Sequence, residues 1–300
     1  MNPSPESSEA IQGAEQREAA NAEQFLRMRN VSVALGDRIV LHDIHLTIQT
    51  GEHVAILGAN GCGKSTLIRT MNCELYPLIP NAGHPLPEIS IFGRSRWDLA
   101  QLRQHFGVVS DTHPGLYSTS RTPDTAGSAT GRTTGLDAVI AGFFSASTLW
   151  PNLVVTEEMR HRAAEALERI HATHLTHHLV GEMSAGEKRR ILIARALVHR
   201  PHQLLLDEPS NALDLAAQRN LRESLRSLIA PKDGTPSTGL ILVTHHLNDI
   251  PPEIERVILM QQGRIVADGP RTELLTAPVL SKLLGTEVRI GQQDGWLHSW

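Results

Sequence analysis

The chain has 300 residues, 40% of them hydrophobic and 23 of them glycine, a composition that fits a globular protein and excludes a collagen-like, wholly disordered or channel-forming chain. That length can bury one large core with a subdomain and needs no disulfide or metal in place of a core. With 28 basic and 32 acidic side chains the formal charge is -4, so no global field draws in nucleic acid or an acidic membrane surface.

The first residues, to about position 24, are rich in Pro, Ser, Glu and Gln and carry almost no large apolar side chain, which predicts a disordered tail over 1–24. This stretch lacks the basic and apolar regions of a signal peptide, and no run of 18 apolar residues occurs, so no spanning helix is expected. From Phe25 apolar and polar positions alternate. Val31-Ser32-Val33 and the run 44–48 predict two half-buried antiparallel strands around a turn at Gly36-Asp37. Residues 53–57 form a short apolar run that stops at Gly58, and a helix-compatible stretch begins near Lys64.

Nine of the 18 residues from 118 to 135 are Ser or Thr and three are Gly, which predicts a flexible surface loop. Helices are expected over 136–149 and 156–173, the second burying Ala163, Leu167 and Ile170 along one face. Two buried strands, 204–206 and 240–243, flank a helical segment that follows Asp214, the alternation of a mostly parallel sheet. A late hairpin pairs 257–260 with 264–267.

The nine residues Gly58-Ala59-Asn60-Gly61-Cys62-Gly63-Lys64-Ser65-Thr66 match GxxxxGK[ST] where a strand hands over to a helix. Glycines let backbone N–H groups curl around phosphate oxygens, Lys64 supplies a positive charge, and Ser65 is a candidate ligand for magnesium. Two adjacent carboxylates, Asp207 and Glu208, end the 204–206 strand, where open parallel sheets bind ligands. Asp207 suits a magnesium-holding role and Glu208 the polarisation of an attacking water; an ordinary acidic loop is the bland alternative. Ser184 and Glu187 have the spacing of a capping box at a helix start, and with Gly186 they also suit a second phosphate site.

With these motifs in place, residues 25–285 resemble the nucleotide-binding subunit of an ATP-binding cassette (ABC) transporter. Met183-Ser184-Ala185-Gly186-Glu187 resembles the family signature, Pro209-Ser210-Asn211-Ala212-Leu213-Asp214 its D-loop, and Thr244-His245 its switch histidine. The resemblance implies an α/β fold: a P-loop NTPase (RecA-like) core, an N-terminal antiparallel β subdomain, and a helical insert over about 112–182. It implies ATP and Mg2+ as ligands and ATP hydrolysis coupled to transport. In a head-to-tail homodimer, Ser184 and Gly186 of one copy would close over ATP held by Lys64 of the other, with Asp214 beside the nucleotide and His245 at the terminal phosphate. It further implies a separate membrane-spanning permease docked on the insert, an optional substrate-binding protein, no nucleic acid, and a place on the inner face of the cell membrane. The run VTHH followed by Ile250-Pro251-Pro252, together with MSAGEKRR, is similar to subunits of molybdate or iron-complex uptake systems.

Two positions depart from the family pattern. Leu35 stands where an aromatic residue usually stacks on adenine, and Asp111 where a glutamine usually links the magnesium site to the insert. They motivate the alternative of a nucleotide sensor with little turnover; a soluble ABC-type ATPase acting on ribosomes or DNA, outside transport, is a separate alternative. His174 and His178 have the i,i+4 spacing of metal ligands, against the simpler reading of a polar helix end. Cys62 and Cys73 are too few for a secreted disulfide framework, and Cys62 beside a helix N-terminus is expected either to have a lowered thiol pKa or simply to be a small loop residue. Residues 286–300 are left as a C-terminal extension in which Trp296 and Trp300 serve packing or assembly.

Overall fold

The computed structural model describes residues 24–110, 133–146, 148–230 and 238–300. Asp111, residues 1–23 of the expected tail and 118–132 of the expected loop lie outside the described residues.

The alternating segments at the start form β1 (Gln24–Leu35) and β2 (Arg38–Gln49), antiparallel from Gln24↔Gln49 to Leu35↔Arg38 around a turn where Gly36 has φ 58°. Val31, Val33, Ile44, Leu46 and Ile48 are all buried, as the period-2 pattern requires. A third strand that the sequence did not announce, β4 (Glu88–Ile91), pairs with the other edge of β1.

The central sheet has the order β5-β6-β7-β3-β8-β9, with β3 (Val54–Gly58), β5 (Phe106–Val109), β6 (Gln203–Asp207), β7 (Gly239–Thr244), β8 (Arg256–Gln261) and β9 (Arg264–Pro270). All neighbours are parallel except the β8/β9 hairpin at the edge. Each inner strand is buried on both faces, which explains its unbroken apolar runs. Ala55 and Leu57 join Leu204, Leu206, Leu240 and Leu242 in one core, whereas Val54 and Ile56 join Leu205, Ile241 and Val243 in a second. The first core is covered by helices, the second by the N-terminal sheet and α1 (Lys64–Met71). Further along are α2 (Leu99–His105), α3 (Gly135–Ile140), α4 (Glu157–Arg169), α5 (Ala185–Leu197) and α6 (Leu215–Ile229). The chain ends with α7 (Arg271–Leu274), α8 (Ala277–Leu284) and a hairpin of β10 (Ile290–Gln293) and β11 (Trp296–Ser299).

The helix expected over 156–173 forms as α4, capped by the Thr156 hydroxyl, and buries Ala163 and Leu167 on one face, with Ile170 also buried just past its end. The helix expected over 136–149 stops early: α3 ends at Ile140, a 3-10 turn occupies Ala141–Phe144, and Ser145 has φ 50°. Buried Arg195 supplies the reason, because it donates to the carbonyls of Ala138 and Ala146, which a continuous helix could not both present. Thr134 caps α3 and Gly135 opens it, so the last residues of the Ser/Thr-rich segment belong to an ordered helix start.

Candidate active site

β3 leads straight into the glycine loop, and the loop into α1. Gly61 and Gly63 have φ values of 77° and 108°, a conformation in which a side chain would be strained. No side chain caps α1, so the amides at its start stay available to an anion. The loop is also pinned from outside. The Gly263 N–H at the β8/β9 turn donates to the Cys62 carbonyl at 2.8 Å, and the Gly263 carbonyl accepts from the His42 N–H at 2.9 Å. Ala59, Asn60, Gly61 and Ser65 are exposed, whereas Gly58, Cys62, Gly63, Lys64 and Thr66 are buried. The Lys64 ammonium sits inside the loop, donating to the carbonyls of Gly58 at 2.8 Å and Ala59 at 3.3 Å. Burial outweighs the nearby lysine at Cys62 and pushes its thiol pKa up, which favours the small loop residue over the lowered thiol.

The strand ends beside the loop bring the remaining polar groups together. Asp207, buried at the end of β6, accepts from the Ser110 hydroxyl at 2.7 Å, just past the end of β5. Glu208 follows with φ 46°, and its N–H donates to the Val243 carbonyl. Its carboxylate bridges two functional groups: Oε1 lies 3.3 Å from Lys64 Nζ, and Oε2 lies 2.7 Å from His245 Nδ1. Oε1 is buried and makes that ion-pair contact but no hydrogen bond. An unsatisfied buried acceptor facing a cradle with free amides suits a site built for a phosphate and a polarised water. With Ser65 exposed at the helix start and Asp207 at the neighbouring strand end, the donor set is all oxygen, the kind magnesium prefers.

Ser184, Gly186 and Asp214 bond locally, and among the described residues none hydrogen-bonds the glycine loop. Ser184 forms the expected capping box: its Oγ accepts from the Glu187 N–H at 3.3 Å, and Glu187 Oε2 accepts from the Ser184 N–H at 2.8 Å. Those bonds hold the Glu187 carboxyl below its usual range. Gly186 has a packing reason of its own, since a Cβ there would lie 2.7 Å from that of Ala217 on α6. Asp214 caps α6 by accepting from the Ala217 N–H at 2.7 Å. Leu35 is exposed at the tip of the β1/β2 hairpin. Among the described residues no group of three His, Cys, Asp or Glu could hold a metal ion. Ser110, Asp249 and Gly263 are the site-shaping residues that sequence reasoning did not single out; a position at a strand's C-terminal end is the signal that marks Ser110.

The family model for ABC transporters matches residues 41–211. The Bacillus subtilis (strain 168) ABC transporter ATP-binding protein YlmA is 30% identical over 269 residues, covering 89% of this chain and 93% of its own. The hemin import ATP-binding protein HmuV of Photobacterium damselae subsp. damselae is 28% identical over 88% of this chain and 91% of its own. A solved dimeric bacterial ABC transporter cassette is 25% identical, with a TM-score of 0.60 over 82% of this chain and 98% of its own. With the glycine cradle, paired carboxylates and strand-end histidine already in one place, the chain belongs to the ABC transporter family as one of its ATP-binding, ATP-hydrolysing subunits.

Proposed function

We propose that this chain works as a homodimer in which each ATP lies between the glycine loop of one copy and the Ser184–Gly186 helix start of the other. The observation that carries the hydrolytic part of this reading is the position of Glu208, which touches Lys64 on one side and His245 on the other. Ser184 and Gly186 stand exposed and buried, respectively, at a helix start that no group of the same chain's loop engages, and the dimeric relative supports pairing across two copies. Residues 58–66 cradle the phosphates, with Asp214 near the interface. Ser65 and Asp207 would hold magnesium, which neutralises charge on the phosphates when bound; Asp111 joins them as a candidate from its sequence position.

Glu208 takes a proton from the attacking water as its oxygen bonds to the terminal phosphorus. The bond between that phosphorus and the ADP oxygen then breaks. His245 holds Glu208 through Nδ1 and would serve at the terminal phosphate. ATP adds contacts across the two copies and hydrolysis removes them, so the closed and open dimers differ in free energy and can move a partner. No helix among the described residues is long and apolar enough to cross a membrane. A separate permease therefore supplies the spanning part, docked on the insert at about 112–182, and places residues 25–285 at the inner membrane face. Likeness to hemin import HmuV favours an iron-complex or similar chelate as cargo, delivered by a substrate-binding protein.

Light scattering of Glu208→Gln with ATP and magnesium tests the shared pocket. The substitution removes the base without removing the cradle, so a stable dimer should accumulate while turnover falls about 100-fold or more. Adding Ser184→Arg should return the Glu208→Gln protein to monomer. A persistent monomer with bound ATP in Glu208→Gln itself would refute the shared pocket.

A further inference from the structure

Beyond Asp207 and Glu208, a third acidic group stands behind the site. Asp249, 4% exposed, closes the 3-10 turn Leu247–Asp249 that follows His245 and His246. Its Oδ2 accepts from the Thr244 hydroxyl at 3.0 Å and from the buried Ser210 hydroxyl. One carboxylate oxygen therefore ties the segment after Glu208 to the end of β7. Thr244 has a single hydroxyl proton and two acceptors within reach, Asp249 Oδ2 at 3.0 Å and Glu208 Oε2 at 3.4 Å. The nearer acceptor takes it. Glu208 Oε2 is then left to His245, whose ring nitrogen lies 2.7 Å away and whose backbone N–H lies 3.4 Å away.

The turn bearing Asp249 is clamped in its turn by the C-terminal hairpin. The Arg222 guanidinium lies 5.7 Å from the centre of the Trp296 ring and donates to the Asn248 carbonyl at 3.4 Å. Arg271 donates both to the Pro251 carbonyl and, at 3.1 Å, to that of Gly295. Gly295 packs so closely on Pro252 that a Cβ would fall 2.9 Å from its ring. The hairpin therefore meets the segment after His246 directly at Pro252, and through Arg222 and Arg271 at Asn248 and Pro251.

We propose that Asp249, held in place by the β10/β11 hairpin, is a positioning residue for hydrolysis: it captures the Thr244 proton and anchors Ser210, and so keeps Glu208 engaged with His245. This rests on the assignment of Glu208 as the base. Without Asp249 the Thr244 hydroxyl turns to Glu208 Oε2 and draws that carboxylate away from the position it holds against His245.

Steady-state ATP hydrolysis and equilibrium ATP binding of the full chain test this. Asp249→Ala should lower kcat about 10- to 100-fold while the Kd for ATP, read with EDTA present to stop turnover, stays within about twofold. Asp249→Asn, whose amide oxygen still accepts from Thr244, should recover most of the loss. Ser210→Ala combined with Asp249→Ala should be no slower than Asp249→Ala alone, since both act through one contact. Trp296→Ala, away from the nucleotide, should lower kcat severalfold at unchanged Kd. Wild-type turnover in Asp249→Ala, or equal loss in the alanine and asparagine variants, would overturn the proposal. Turnover that survives Glu208→Gln would instead defeat the base assignment itself, whatever the Asp249 variants do.

Discussion

The Lys64 ammonium is buried against two carbonyls and one carboxylate, so its removal leaves polar acceptors unpaired as well as the cradle without its cation. Lys64→Ala should weaken ATP binding by at least about tenfold, read by fluorescence of a labelled nucleotide, which corresponds to roughly 1.4 kcal/mol. Cys62 decides between the two readings its position allows. A helix start beside it would favour the thiolate, but the side chain is packed as a small loop residue under Gly58, whose own Cβ would lie 2.6 Å from its sulfur. Burial therefore dominates, and alkylation of Cys62 at pH 7.5 should be slow in the folded protein and rapid after unfolding; fast labelling of the native chain would contradict this. The Lys64, Asp207 and Glu208 positions were legible because a fixed spacing and a strand end announce them. Asp249 was not, because its importance comes from two hydroxyls that only the fold brings to it.

Among the elements, the β8/β9 turn does more than reverse the chain. Gln262 and Gly263 both have positive φ, and a Cβ on Gly263 would lie 1.9 Å from the Val40 carbonyl oxygen. Gly263→Ala must therefore push β2 away from the turn that pins Cys62. The expected outcome is a stability loss of about 1–3 kcal/mol in urea titration together with weaker ATP binding; loss of stability with intact affinity would show that the loop holds its shape without the pin. Period-2 alternation made β1 and β2 readable, unbroken apolar runs did the same for β6 and β7, and the Gln261-Gln262-Gly263 turn announced the late hairpin. The helix over 136–149 failed because Arg195, more than forty positions along the chain, claims two of its carbonyls. The C-terminal hairpin turns at Asp294-Gly295, with φ 52° and 84°, a pair whose tolerance of positive φ suits a two-residue hairpin turn.

Across the whole molecule, several histidines are placed in surroundings that disfavour their charged form. Burial lowers the pKa of His53, of His105 stacked on His202, and of His199 near Arg162. His53 Nδ1 also accepts the Leu240 N–H at 3.1 Å, which a doubly protonated ring cannot do. The unfolded chain protonates these rings near the ordinary value of 6.5, before the folded chain does. Stability is therefore full above that value and declines as the pH falls from it toward the depressed folded values. The melting temperature should be lower at pH 5.5 than at pH 7.5, and His53→Gln should flatten part of that slope; a pH-independent melting temperature would exclude this linkage. The layered architecture was legible from the order of strands and helices, whereas the junction between the two cores was not, because it depends on which side of each strand a residue faces.

The contact between Lys64 and Glu208 puts the cation of the glycine loop and the carboxylate just past the end of β6 in one ion pair. On the proposed assignment of Glu208 as the base, the same ammonium serves both a phosphate and that carboxylate, so any shift of Lys64 toward an anion loosens its hold on Glu208. Anion capture and release of the carboxylate are then coupled through one side chain.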